Sequence, residues 1–227
     1  MYQSWGSLLF IHWEFPREAL QARLPRALEV DTFEGRAYVA ITPFTLWNAR
    51  PIFTPPIPHL SDFHEINVRT YVNCEGVPGV YFFSLDANRL IPVMAARNLF
   101  SLPYHLGDIA MTRKDNAVDF SLERREEPRA FFNGSWQEHP ESFEAMPGSL
   151  EFFLSERYCL YTEDDRKLYR CRIAHEPWPL RRAELLAHET DLFEANGLPK
   201  PEDRPITHAG GPVHVKVWPL ERVVRST

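Results

Sequence analysis

The run Glu65-Ile-Asn-Val-Arg-Thr-Tyr-Val72 constrains this chain more than any other. In an extended strand, successive side chains leave opposite faces of the sheet. Ile66, Val68 and Val72 then share one face with Thr70, and Glu65, Asn67, Arg69 and Tyr71 share the other. One face is apolar and must pack on something. The other is polar with an aromatic end, and is either a solvated outer surface or the wall of an interior.

The run continues into "NCEGVPGVYFFSL", which reads as a hairpin. Other β-rich stretches flank it. "WGSLLFIHW" is a buried strand, and "LEVDTFEGRAYVAITPF" predicts a first hairpin around Glu34-Gly35. "HLGDIAM" and "AVDFSLERR" flank the turn "RKDN", "AFFNGSW" is a further strand, and "YCLYTEDDRKLYRCRI" holds two strands about a charged turn. "GGPVHVKVWPLE" closes with alternation. Helices are few: "PREALQARL" after Pro16, "LIPVMAARNLF" near Pro92, "SLEFFLSERY" capped by Ser149, and "RRAELLAHETDLFEANG" ending at Gly197. "RPIFTPPIPHL", with four prolines in eleven residues, is an extended loop. The expectation is an α+β protein, mainly antiparallel β with a few short flanking helices, in a single domain over 1–227.

The chain has 227 residues, 44% apolar and 13% aromatic, enough for a sizeable core without disulfides or a structural metal. Its net charge is −6, and no basic stripe is present, which argues against nucleic acid. Cys74, Cys159 and Cys171 show no CxxC and read as reduced thiols. No apolar run approaches a membrane span and no apolar leader follows a cationic start, so the expectation is a cytoplasmic protein without membrane contact. The nine histidines form no HxH, HxxxH or HExxH pattern, and no metal or cofactor is expected.

If the odd-numbered face of 65–71 lines an interior, its chemistry suits a small organic acid or carbonyl compound. Glu65 and Arg69 stand roughly 13 Å apart along the strand, with Asn67 between. A guanidinium grips a carboxylate through two donors. A carboxyl in a dry pocket has its pKa raised toward neutrality and can move protons.

The segments "FHEINVRTYV", "GVPGVYFFSLDA" and "ARNLFSLPYH" occur in the order found in acetoacetate decarboxylase-like proteins, which the chain resembles. On that pattern Glu65 matches the pocket glutamate, Arg97 the helix arginine and Pro103 the turn proline. Tyr104 and His105 stand where the two lysines are. "LLFIHW", "LEVDTFEGRAYVAITPF", "FFSLDA", "FLSERYCLY" and "HEPWPL" resemble the YqjF-like family of uncharacterised proteins in the same superfamily, over Leu8 to Leu180. The resemblance implies a cone-shaped β-barrel with an internal cavity, and makes a homodimer the expected assembly.

The decarboxylase mechanism needs a lysine amine. This chain has four lysines, Lys114, Lys167, Lys200 and Lys216. The first three read as solvated, and Lys216 alternates with valines. If the chain is an enzyme, the expected catalytic set is Glu65, His105 and Tyr104, moving protons without an imine; the alternatives are a non-catalytic protein in which the same residues orient a ligand, and a structural protein on the same scaffold. Arg69, Asn67, Tyr71 and Arg97 form the ligand-binding set. Adjacent strand residues face opposite ways, so only one of Tyr104 and His105 should enter the pocket. His105 and Arg97 also have structural readings, in a helix-to-strand turn and at a helix end. Asp86 is read as a cap for the next helix. Glu156 and Arg157 read as partners in structural ion pairs.

Overall fold

A computed structural model describes residues 1–57 and 60–224. Pro58 and His59, part of the expected extended loop, lie outside the described residues. The chain opens with β1 (Tyr2–Gly6), β2 (Leu8–Phe15), α1 (Arg17–Gln21), β3 (Glu29–Val30) and β4 (Ala37–Arg50). Then come β5 (Phe63–Cys74), β6 (Val77–Ala87), α2 (Leu90–Phe100), β7 (Tyr104–Lys114), β8 (Ala117–Arg124) and β9 (Phe131–Phe143). The last third holds α3 (Leu150–Ser155), β10 (Cys159–Asp164), β11 (Lys167–Ala174), β12 (Leu180–Thr190), α4 (Leu192–Ala195), β13 (Ile206–Gly210), β14 (Val213–Val217) and β15 (Glu221–Arg222). Among the described residues every strand belongs to one sheet, and its only parallel pairs are β6–β7 and β6–β10. This is the expected α+β, mainly antiparallel architecture.

Three long strands organise the sheet. On one edge, β4 pairs with β2 along its first half and with β1 along its second. Its other edge carries β5, which in turn carries β6. The far edge of β6 is again shared, by β10 at Val80–Tyr81 and by β7 at Leu85–Ala87. Two paths return from β6 to β4. One runs through β10, β11, β14 and β1, the other through β7, β8, β9, β12, β13 and β2. The sheet thus closes on itself twice, and β4, β5 and β6 are the shared wall.

Shared strands need two buried faces, and the sequence of β5 supplies them. Ile66, Val68 and Val72 join a core with Phe120, Leu122, Phe132 and Trp136 of the β7–β12 side. Phe63, on the opposite face, joins Phe10, Phe44, Trp178, Val213 and Val215. The odd face of β5 is therefore not a solvated exterior: Glu65, Asn67 and Tyr71 are all under 5% exposed.

Three expectations change. "WGSLLFIHW" is two strands, since β1 ends at Gly6 and β2 starts at Leu8, with Ser7 between them at positive φ. "RRAELLAHET" is strand β12, and only Leu192–Ala195 is helical. Its Ala, Glu and Leu content favours a helix, but pairing with β9 on one edge and β13 on the other overrides that weak preference. The hairpin around Glu34-Gly35 is reduced to one bridge, Phe33–Arg36, with both turn residues at positive φ. Its first arm, β3, pairs with β5 instead of β4. The cap at Ser149 forms as expected, its hydroxyl accepting from the Phe152 amide at 3.2 Å.

Candidate functional site

Register assembles the site. Phe44 lies opposite Glu65, Thr42 opposite Asn67 and Ala40 opposite Arg69. His12 lies opposite Ala40, which places it two strands from Arg69 on the same face. On the other side, Ala87 faces Glu65 and Leu85 faces Asn67, and Tyr104 on β7 faces Leu85. Directly paired residues project to the same side of a sheet. One buried face therefore carries His12, Thr42, Glu65, Asn67, Arg69, Tyr71 and Tyr104, framed by Phe10 and Phe44.

Glu65 is 3% exposed and accepts a hydrogen bond from Tyr104 Oη at 2.7 Å. Burial raises its pKa from 4.5 to about 7. The hydrogen bonds from Tyr104 and Asn67 and the Arg69 charge oppose that rise, and the nearby Asp86 charge adds to it. Tyr104 is itself pushed well above the ordinary phenol value, by burial first and then by its carboxylate partner. Arg69 lies over the Phe10 ring at 5.3 Å, and its Nε is buried without a partner.

Tyr71 sits at the edge of the face and is already bound. Its hydroxyl donates to the Leu154 carbonyl at 2.7 Å and lies 2.7 Å from His12 Nε2. Arg157, paired with Asp31 at 2.7 Å, covers the Tyr71 ring. This residue of the expected ligand-binding set is thus tied into α3 and is structural in its contacts.

His105 does not join the group. It lies opposite Asp86 on the other face of the sheet, because Tyr104 has taken the Glu65 side. Its Nδ1 is 3.5 Å from Glu126, and burial and the Arg124 charge lower its pKa. Arg97 is also absent from the face. It donates to the Tyr104 carbonyl at 2.7 Å and pairs with Glu126, so it props the start of β7 from outside.

Asp86 does not cap α2. Fully buried, it receives both Nε and Nη2 of Arg124 at 2.7 Å, which ties β6 to β8 behind the Glu65 face. Arg157 forms the expected ion pair. Glu156 instead accepts from the Trp178 amide and the Tyr158 hydroxyl. All four lysines are exposed, and Lys216 lies on the side of β14 opposite Val213 and Val215.

His12 and Thr42 are the residues that sequence reasoning passed over. Both are 1% exposed, and each has a polar atom, His12 Nδ1 and Thr42 Oγ1, with no hydrogen-bond partner. Asn67 Oδ1 and Arg69 Nε are in the same condition, so four of the seven such atoms among the described residues share one face. Burial, and then the Arg69 charge, lowers the His12 pKa well below the ordinary imidazole value, the Ile206 and Leu154 carbonyls opposing. The signal for His12 was alternation: in "LLFIHW" it shares a side with Leu8 and Phe10.

A cleft of about 670 Å³ lies elsewhere, on the β7–β8–β9–β12 surface, lined by small and polar residues such as Thr112, Asp119, Ser121 and Ser135. No group of three or more metal-ligating side chains occurs among the described residues, and none of their helices is long and apolar enough to cross a membrane. The cysteines form no disulfide.

A family model described as "Uncharacterized conserved protein (COG2071)" matches residues 2–214. "Uncharacterized protein YqjF" of Bacillus subtilis (strain 168) is 38% identical over 222 residues, 98% of this chain and 92% of that protein. The enduracididine biosynthesis enzyme MppR, solved with pyruvate, superposes with a TM-score of 0.70 at 14% identity, covering 97% of this chain and 89% of that one. Acetoacetate decarboxylase from Legionella pneumophila subsp. pneumophila str. Philadelphia 1 gives a TM-score of 0.63 at 13% identity, covering 98% and 87%. The acetoacetate decarboxylase-like fold is shared with these structures.

Proposed function

Since this chain belongs to the DUF2071 family, whose description assigns no reaction, we propose from the site itself that it takes a small organic acid or carbonyl compound on the odd face of β5. Arg69 holds the anionic end, and Glu65 and Tyr104 form the proton-moving pair. The observation that carries this reading is the set of four unpartnered polar atoms beside a carboxyl whose pKa is raised to about 7. Leaving buried donors and acceptors unmade costs about 1–3 kcal/mol each, so such a cluster is kept where water or a ligand completes it. A carboxyl poised near neutrality is suited to give or take a proton at working pH.

Schiff-base chemistry is not part of the proposal. Each lysine is exposed, and none lies on the Glu65 face. Tyrosine and histidine at 104 and 105 form no imine.

A binding-only role is the second reading. His105 lies outside the face and His12 is held neutral, so Glu65 has no imidazole partner able to take up a proton near neutral pH. Glu65→Gln separates the two. In a catalyst it abolishes turnover and leaves affinity within about threefold; in a binder it changes affinity alone. Arg69→Gln tests the shared premise by thermal shift with small carboxylates. A protein stabilised equally well without Arg69 would remove the site.

A further inference from the structure

The unpartnered atoms differ in sign, and the signs constrain the ligand. Tyr71 has one hydroxyl proton, and the Leu154 carbonyl receives it at 2.7 Å. His12 Nε2, 2.7 Å from the same oxygen, must then be a donor. A neutral imidazole carries a single N–H. On this tautomer Nδ1 is an acceptor and has no hydrogen-bond partner, while the Ile206 and Leu154 carbonyls favour an N–H on the ring. Asn67 repeats the pattern, because its amide N–H side serves Glu65 and leaves Oδ1 as a second unmet acceptor. Arg69 Nε has the opposite sign, a donor without an acceptor. Phe10 joins the two ends: its ring stacks on His12 at 5.9 Å and lies under the Arg69 guanidinium at 5.3 Å.

Resting on the site proposed above, we infer that the ligand is a small hydroxy acid, an anion that brings its own O–H donor, and that His12 is the residue selecting it. The carboxylate accepts from Arg69, and the hydroxyl donates to His12 Nδ1. A 2-oxo acid of equal size satisfies Arg69 but has no donor, so the acceptors stay buried and unmade. Sites built to bond a substrate hydroxyl discriminate against analogues that lack one.

The test uses the full chain and two probe pairs, lactate against pyruvate and 2-hydroxybutyrate against 2-oxobutyrate, by calorimetric titration. The hydroxy acid of each pair is expected to bind at least about tenfold more tightly. His12→Gln keeps an N–H near the Nε2 position, and so the bond to Tyr71, but removes the Nδ1 acceptor. It should bring the two members of each pair within about threefold. In wild-type protein carrying ¹⁵N-labelled histidine, the His12 Nδ1 resonance should be that of an unprotonated nitrogen and should shift with lactate but not with pyruvate. Equal or tighter binding of the oxo acids overturns the inference alone, as does a protonated Nδ1. If none of the four probes binds in an Arg69-dependent way, the site reading falls and takes this inference with it.

Discussion

Tyr104 Oη and Glu65 Oε2 are 2.7 Å apart, and this contact decides the orientation of the β7 entrance. With the phenol turned to Glu65, strand alternation sends His105 to the face that holds Asp86. Tyr104 therefore meets the buried Glu65 carboxyl, and His105 meets the face that holds the Asp86–Arg124 ion pair.

Glu65 makes stability depend on pH in a defined window. Its pKa rises from 4.5 to about 7 on folding. Between those values the folded chain keeps a proton that the unfolded chain releases, so stability falls as pH rises and levels off above about 7. The full effect is about 3 kcal/mol. Urea unfolding of wild type and Glu65→Gln from pH 4.5 to 8 should show the glutamine variant gaining on wild type by that amount, then a constant gap. A gap that does not change with pH would mean that Glu65 titrates as an exposed carboxyl does.

Tyr104 donates to the Glu65 carboxylate and so stabilises its charged form. Tyr104→Phe should move the Glu65 midpoint further above 7, followed by carboxyl ¹³C NMR. His105→Ala should leave that midpoint in place, because the imidazole is on the other face. If His105→Ala shifts it and Tyr104→Phe does not, the assignment of the two residues is reversed.

Binding of an anion should follow the same titration. A carboxylate ligand beside protonated Glu65 meets Arg69 without a competing negative charge. Above pH 7 the ionised Glu65 repels it, so affinity for lactate should drop as pH rises through about 7. Around Glu65 itself, the Tyr104 and Asn67 hydrogen bonds and the Arg69 charge favour the ionised form, and the Asp86 charge disfavours it. Glu65→Gln should flatten the profile, and calorimetric titration at pH 6 and 8 measures both.

Alternation in "EINVRTYV" made one apolar and one aromatic-tipped polar face legible but left a solvated exterior and an interior wall both open, and the burial of Glu65, Asn67 and Tyr71 decides for the interior. Pairing partners were not legible in the same way. Nothing in "LEVDTFEG" says that Glu29–Val30 pairs with Asn73–Val72, a contact set by closure of the sheet. Arg97 shows the limit of motif matching: a side chain of that length props its own turn from outside as readily as it enters a pocket. His12 stayed hidden because a lone histidine in an apolar strand reads as core until its Nδ1 is found without a hydrogen-bond partner.

The Asp86–Arg124 pair is the strongest electrostatic tie behind the site, with both side chains at most 1% exposed. Removing one partner leaves a buried charge unmatched. Arg124→Met should cost about 3–5 kcal/mol in urea unfolding. The double change Asp86→Leu with Arg124→Met removes both charges and should recover much of that loss. A double variant no more stable than the single one would mean that the geometry of the pair, with its further bond to the Pro128 carbonyl, matters more than its charge.

Among the described residues every lysine is exposed, and that makes a chemical prediction. Lys216 is the lysine nearest in pattern to a buried strand position, flanked by Val215 and Val217. Those valines enter the core with Phe10 and Trp178, so alternation turns Lys216 outward, into a cleft of about 220 Å³ that it lines with Tyr2 and Arg50. Incubation with acetoacetate and borohydride should leave the intact mass unchanged, under conditions in which an acetoacetate decarboxylase is trapped. A stoichiometric adduct on Lys216, retained in Arg50→Gln but lost in Glu65→Gln, would put an amine in the site and end the proton-transfer reading of Glu65 and Tyr104.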